Sequence, residues 1–114
     1  MGADLVFDCR FLKNPHWSEE LRAKNGRDPA VQDYIDSAPR FSAFAGQVSE
    51  LLETLLPAFL EEGRAYLTVA FGCTGGQHRS VALAEKLSAH LAQAGWQVSK
   101  RHRELERRGA VGSA

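Results

Sequence analysis

A nearly unbroken apolar run, Ala65-Tyr-Leu-Thr-Val-Ala-Phe71, leads directly into the glycine-rich segment Gly72-Cys-Thr-Gly-Gly-Gln-His-Arg-Ser80 and then into a helical pattern. A β-prone run without polar alternation predicts a central strand, covered on both faces in a parallel sheet. Parallel neighbours need crossover connections, so helices must pack on that sheet. The helix after the loop is predicted over Ser80 to Ala94, with Val81, Ala84, Leu87 and Leu91 inward and Gly95 as its stop.

The rest of the chain supplies the remaining parts of such a fold. Asp4-Leu-Val-Phe-Asp8 reads as a first strand ending at polar residues, and Lys13 to Asp28 as a long irregular excursion with a helical turn. Asp28-Pro29 is a helix-starting pair, which predicts a short helix from Pro29 to about Asp36. Phe41, Phe44, Ala45, Val48, Leu51, Leu52, Leu55 and Phe59 recur at helical spacing and mark a longer helix, with Pro57 bending or tightening its end. Gln97 to Lys100 is predicted as a third strand, and His102 to Arg108 as a short basic helix. The fold class expected is a small single-domain α/β sandwich with a mainly parallel sheet, helices packed on it, and an anion-binding loop between a central strand and a helix. Its core spans residues 4–108, with 109–114 as a flexible tail.

With 114 residues, 44% hydrophobic content and 25% charge, one folded domain is expected. The 14 basic and 14 acidic residues cancel, so no global field marks a nucleic-acid or membrane partner. Local clustering does occur: Lys100, Arg101, Arg103, Arg107 and Arg108 face only Glu104 and Glu106 nearby, a candidate RNA-binding patch whose alternative is a solvated helical face. Two cysteines do not make a secreted disulfide framework, and no apolar run approaches the roughly 20 residues of a membrane span. A cytoplasmic protein is expected, neither exported nor embedded.

Gly72, Gly75 and Gly76 leave backbone N–H groups free to face an anion, the following helix adds its positive end, and Arg79 can fork onto phosphate oxygens. Thr74 and Ser80 add hydroxyls. The alternative is a tight structural turn with Ser80 as helix cap. The nucleotide P-loop pattern fails here, whereas Cys73 and Arg79-Ser80 fit C-x5-R-S, the cradle of cysteine-dependent phosphatases. A helix N-terminus and nearby cations would favour a Cys73 thiolate. That family has His before its cysteine and an acid on a mobile loop, but Gly72 stands here and only Asp33 and Asp36 offer themselves as acids. Cys73 is therefore either a nucleophile or a small buried residue at a strand end.

Parallel strands bring Asp8 and Arg10 to the same edge as Gly72 to Ser80, where open α/β sheets hold ligands. Asp8 and Arg10 either pair with each other or meet ligand hydroxyls and a negative group. Asn14 and His16 lie in the long loop, where His16 either reaches a phosphate or amino sugar or is merely exposed. His16 and His78 alone do not make a metal site, and no metal or cofactor is expected.

Asp4-Leu-Val-Phe-Asp-Cys-Arg-Phe-Leu-Lys-Asn-Pro-His-Trp17, Tyr66-Leu-Thr-Val-Ala-Phe-Gly-Cys-Thr-Gly-Gly-Gln-His-Arg-Ser80 and His102-Arg-Glu-Leu-Glu-Arg107 together resemble the C-terminal domain of the RapZ family of bacterial RNase adapters. The resemblance runs from Asp4 to about Arg108, and no counterpart of the family's N-terminal nucleotide-binding domain is expected in these residues. It implies a sensor of glucosamine-6-phosphate that, in enterobacterial members, binds small regulatory RNAs and presents them to an endoribonuclease. It also implies a sugar-phosphate site made of Asp8, Arg10, Asn14 and His16 with Cys73, Thr74, Gly75, Gly76, Gln77, His78, Arg79 and Ser80. The ending Arg107-Arg108-Gly109-Ala110 lacks the lysine-rich tail of enterobacterial members, and Trp96 stands where they are basic. The expected function is non-catalytic binding of a phosphorylated amino sugar, with an RNA and RNase partner and homo-oligomerisation open. The alternatives are a phosphatase using Cys73 and a mainly RNA-binding module.

Overall fold

The structure, a computed structural model, describes residues 3–15, 18–73 and 78–112, with side chains described as far as Arg107. In chain order these form β1 (Leu5–Asp8), α1 (Pro29–Asp36), α2 (Pro39–Glu61), β2 (Val69–Gly72), α3 (Arg79–Gln93) and α4 (Arg103–Gly112). The result is a small α/β domain of the class expected, with a parallel pair of strands and helices packed against it.

The Asp28 side chain accepts the Ala30 N–H at 2.9 Å, and Pro29 opens α1. An aspartate cap satisfies an N–H that the helix itself leaves unpaired, and proline loses nothing in that first turn. Val31 and Ile35, four residues apart, then turn to the core. In α2, Phe41, Ala45, Val48 and Leu52 are buried along one stripe, and the helix continues through Pro57 before Gly63 ends it at a positive φ of 84°. α3 packs on both α2 and β2, while α1 packs on α2 and α3.

The sheet departs from the sequence expectation in three respects. Pairing runs from Leu5↔Val69 to Asp8↔Gly72, so β2 occupies Val69–Gly72 rather than the whole run from Ala65 to Phe71. β1 is only four residues long, and the Asp4 carboxylate takes the Thr68 N–H at 2.8 Å just where the pairing begins. Upstream of Thr68 the backbone lies off the sheet, and Tyr66 is exposed. β2 is also not covered on both faces: Val69, Ala70 and Phe71 are only half-buried, and Val6 on β1 is 72% exposed.

Gln97 to Lys100 forms no strand, and the described sheet has two strands. Gly95, at φ 100°, turns the chain, the Trp96 N–H bonds the Leu91 carbonyl at 3.0 Å, and Lys100 Nζ reaches Glu85 on α3 at 2.8 Å. These contacts lay the segment along α3 instead of the sheet. α4 begins at Arg103 and runs past the expected end at Arg108 to Gly112.

The inward face of α3 is also shifted: Val81, Ala82, Leu83 and Leu87 are buried, whereas Ala84 and Leu91 are half-buried. α3 is enclosed from several sides at its start, by β2, α1 and the loop before α1, so more than one stripe is covered there. Phe7 stacks on Phe71 at 5.6 Å and meets Phe44 edge-on at 5.8 Å, which ties both strands to α2.

Candidate functional site

The C-terminal ends of β1 and β2 lie side by side, since Asp8 is the register partner of Gly72 and the Cys9 N–H donates to the Gly72 carbonyl at 2.7 Å. The start of α3 adjoins them. Two chain segments far apart in sequence therefore meet at one edge, beside the partial positive charge of a helix N-terminus.

On the β1 side, Asp8 and Arg10 form a forked pair. Arg10 Nη2 lies 2.6 Å from Asp8 Oδ2, Arg10 Nε lies 2.9 Å from Oδ1, and the Arg10 N–H also donates to Oδ1 at 2.9 Å. The Arg10 side chain and then its backbone N–H hold the Asp8 carboxyl down to about 2, against a usual value of 3.8. Both side chains are exposed, so the pair presents a fixed carboxylate and a cation together to solvent. Asn14 follows in the loop, half-buried.

On the β2 side, the Ser80 N–H donates to Cys73 Sγ at 3.3 Å and the Cys73 thiol donates to Ser80 Oγ at 3.2 Å. His78 stands at the N-cap position and is buried, with its carbonyl accepting the Ala82 N–H at 2.9 Å. Ser80 is thus inside the first turn, bonded to Cys73, rather than the cap. Arg79 is only 4% exposed, and its Nη1 donates to the Arg10 carbonyl at 2.6 Å and the Leu12 carbonyl at 3.3 Å. Its guanidinium binds α3 to the loop after β1, a role in which it fixes the position of Arg10 as well as adding positive charge to the edge.

The sequence-predicted residues Asp8, Arg10, Cys73, His78, Arg79 and Ser80 are therefore assembled at one edge. His16 and the loop residues Thr74, Gly75, Gly76 and Gln77 lie outside the described residues. Among the described residues no cluster of three or more His, Cys, Asp or Glu side chains is arranged to hold a metal ion. No described helix is long and apolar enough to cross a membrane.

A family model described as the RapZ C-terminal domain matches residues 1–106. The chain belongs to the RapZ C-terminal domain family. It is 66% identical over 110 residues to a nucleotide-binding protein of Cereibacter sphaeroides, covering 96% of this chain and 36% of that protein. It is 62% identical over 107 residues to a nucleotide-binding protein of a Jannaschia species, covering 94% of this chain and 34% of that protein. A nucleotide-binding protein of Dinoroseobacter shibae is 58% identical over 107 residues, with 94% of this chain and 36% of that protein covered. The chain thus spans about a third of the length of these relatives.

In this member of the RapZ C-terminal domain family, the C-terminal basic cluster is largely paired. Lys100 Nζ lies 2.8 Å from Glu85, Arg101 Nη2 lies 2.8 Å from Glu106, and Arg107 Nη2 lies 2.6 Å from Glu104. Arg103 has no ion-pair partner among the described residues, and the Arg108 side chain lies outside them. Exposed pairs of this kind exchange readily, so they moderate the local field without abolishing it.

Two features, one that positions this edge and one that anchors α3 further along, escape a reading of the sequence. A Cβ added at Gly26 would overlap the Ala82 nitrogen and the His78 carbonyl oxygen, and come 2.8 Å from Val81 Cβ. Gly26 thus lets the loop before α1 press against the first turn of α3, although Asn25-Gly26 reads locally as a simple turn. The other is buried His102, which bonds Glu85 where α4 begins. No local signal announces either one, because each partner lies in a distant part of the chain.

Proposed function

We propose that this domain is a non-catalytic sensor of a phosphorylated amino sugar of the glucosamine-6-phosphate type, bound at the edge shared by β1, β2 and α3. The observation that carries this reading is the parallel register Asp8↔Gly72, which sets a carboxylate and guanidinium pair beside the end of β2, from which the glycine-rich sequence runs on to α3. Phosphate oxygens suit the N-terminus of α3, and Gly75-Gly76 just before it in the sequence is the residue type that leaves backbone N–H groups open to an anion. The amino and hydroxyl groups of the sugar suit the exposed carboxylate of Asp8 and the polar residues Asn14 and His16. The relatives are named nucleotide-binding proteins, which supports a phosphate-bearing ligand, although that name belongs to much longer proteins.

Calorimetric titration with glucosamine-6-phosphate, glucosamine and inorganic phosphate tests the reading. Phosphosugar binding much tighter than glucosamine binding supports it; equal affinity for the two sugars removes the phosphate from the account.

Catalysis by Cys73 is the second reading, favoured by the Ser80 N–H that donates to its sulfur at a helix N-terminus. The engagement of Arg79 Nη1 with two main-chain carbonyls supports the sensor instead, because a transferred phosphoryl group needs that guanidinium turned to its oxygens. No hydrolysis of an aryl phosphate is expected, and turnover that disappears in Cys73→Ser would establish the enzyme. An RNA-adapter role for the family member rests on the cations of residues 100–108.

A further inference from the structure

Cys9 and Cys73 are the two cysteines of the sequence, and each stands one residue beyond a paired strand end. Leu5, Phe7 and Cys9 on one strand, with Val69, Phe71 and Cys73 on the other, all pack into the core cluster. That shared alternation puts the two thiols on the same face of adjacent strands. The Cys9 N–H to Gly72 carbonyl bond carries the ladder as far as Cys9 itself. Neighbouring strands lie about 4.8 Å apart, inside the Cα separation of roughly 4.4–6.8 Å that a disulfide spans. Both cysteines are free thiols.

We propose that Cys9 and Cys73 are a peroxide-responsive dithiol that closes reversibly to a disulfide across the C-terminal ends of β1 and β2. The two sulfurs differ in a way that orders the chemistry. Cys73 is half-buried and bonded through its sulfur to the Ser80 N–H and hydroxyl at the start of α3, so it is the more accessible of the two thiols and the sulfur that meets the peroxide. Cys9 is fully buried, and burial, with Cys73 and Asp8 adding to it, pushes its thiol up to about 12. Cys9 therefore stays protonated and acts second.

In the first step the Cys73 thiol attacks the terminal peroxide oxygen; the O–O bond breaks, Cys73 becomes a sulfenic acid and the alcohol or water leaves. In the second the Cys9 sulfur attacks the Cys73 sulfur, the S–O bond breaks, and the hydroxyl departs as water with the Cys9 proton. The two thiols lose two electrons and the peroxide gains them. A small dithiol reductant reverses the closure by thiol–disulfide exchange. The device does not depend on whether the adjoining loop holds a ligand.

The test uses the full reduced chain, treated with hydrogen peroxide, then unfolded, alkylated and digested without reductant for mass spectrometry. The expected result is the Cys9 peptide joined to the Cys73 peptide within one chain, both thiols lost together, and both restored by dithiothreitol. In folded Cys9→Ala, Cys73 should instead advance to sulfinic acid or link two chains, because no resolving thiol remains. Should Cys9→Ala not fold, the native chain decides alone. Cys73 carried to sulfinic acid while Cys9 is still alkylated, or both thiols surviving peroxide intact, overturns the proposal.

Discussion

His102 Nε2 lies 2.6 Å from Glu85 Oε2, joining a buried histidine at the start of α4 to the middle of α3. The same carboxylate holds Lys100 at 2.8 Å and Arg27 at 3.7 Å, so the C-terminal helix, α3 and the long loop converge on one side chain. Burial raises the Glu85 carboxyl, but the hydrogen bonds from Lys100 and His102 outweigh it and hold the group below its usual 4.5.

Glu85→Gln should therefore destabilise the domain by about 1–3 kcal/mol, the scale of a partly buried charge-assisted hydrogen bond. A depressed carboxylate stabilises the fold above its unfolded value of 4.5, and that contribution fades as pH falls through the lower folded value. Urea unfolding across this acid range should show the native chain losing its advantage over Glu85→Gln. A constant difference would separate Glu85 from the pH dependence.

Gly26→Ala should be more damaging than its surface-like turn sequence suggests. The added Cβ meets backbone atoms of α3 rather than a yielding side chain, so the first turn of that helix has to shift. A loss of about 1–3 kcal/mol is expected from such overpacking. Gly46→Ala, at an α2 position where nothing lies within reach of a Cβ, should by contrast be neutral or stabilising, and urea midpoints compare the two. Equal midpoints would contradict the close approach at Gly26.

The difference between those two glycines illustrates how far the sequence can be read. α1 is fully legible because Asp28 and Pro29 act on the turn they adjoin. The length of α2 and the centre of its apolar face are legible because its periodicity is strong, but Leu51, expected on that face, is exposed, because only the stripe of Phe41, Ala45, Val48 and Leu52 is covered by the rest of the domain. The strand after Thr68 is recognisable, but its length depends on β1, which supplies partners only from Leu5 to Asp8. Gln97 to Lys100 has the composition of a strand, yet Lys100 is drawn to Glu85 and away from the sheet. At the candidate edge, the meeting of Asp8 with Gly72 follows from parallel pairing. The direction taken by the Arg79 guanidinium does not, because it is decided by carbonyls of a loop far away in sequence.

The exposed Asp8–Arg10 pair has a titration signature. Asp8 should titrate near 2, and Arg10→Ala should move it back towards 3.8. The attraction is fully present above 3.8 and is lost as pH falls towards 2. Carboxyl carbon shifts followed by NMR read this directly, and an Asp8 value unchanged by Arg10→Ala would deny the pairing in solution.

If the basic cluster binds RNA, the combined Arg103→Ala, Arg107→Ala and Arg108→Ala variant should weaken binding and flatten its salt dependence, since fewer phosphates are neutralised. Phosphosugar binding at the other edge should persist. Gel shifts over several salt concentrations measure this, and unaltered RNA affinity removes the cluster from that role.

The most direct measurement of the central claim is an amide NMR titration of the assigned domain with glucosamine-6-phosphate. Saturating shifts should concentrate at residues 8–16 and 73–80, with glucosamine producing far smaller changes at the same concentrations. Shifts gathered instead around the α2–α3 groove of Ser42, Ser49, Glu53 and His90, or no saturable shifts at all, would contradict a phosphosugar sensor at the shared edge of β1, β2 and α3.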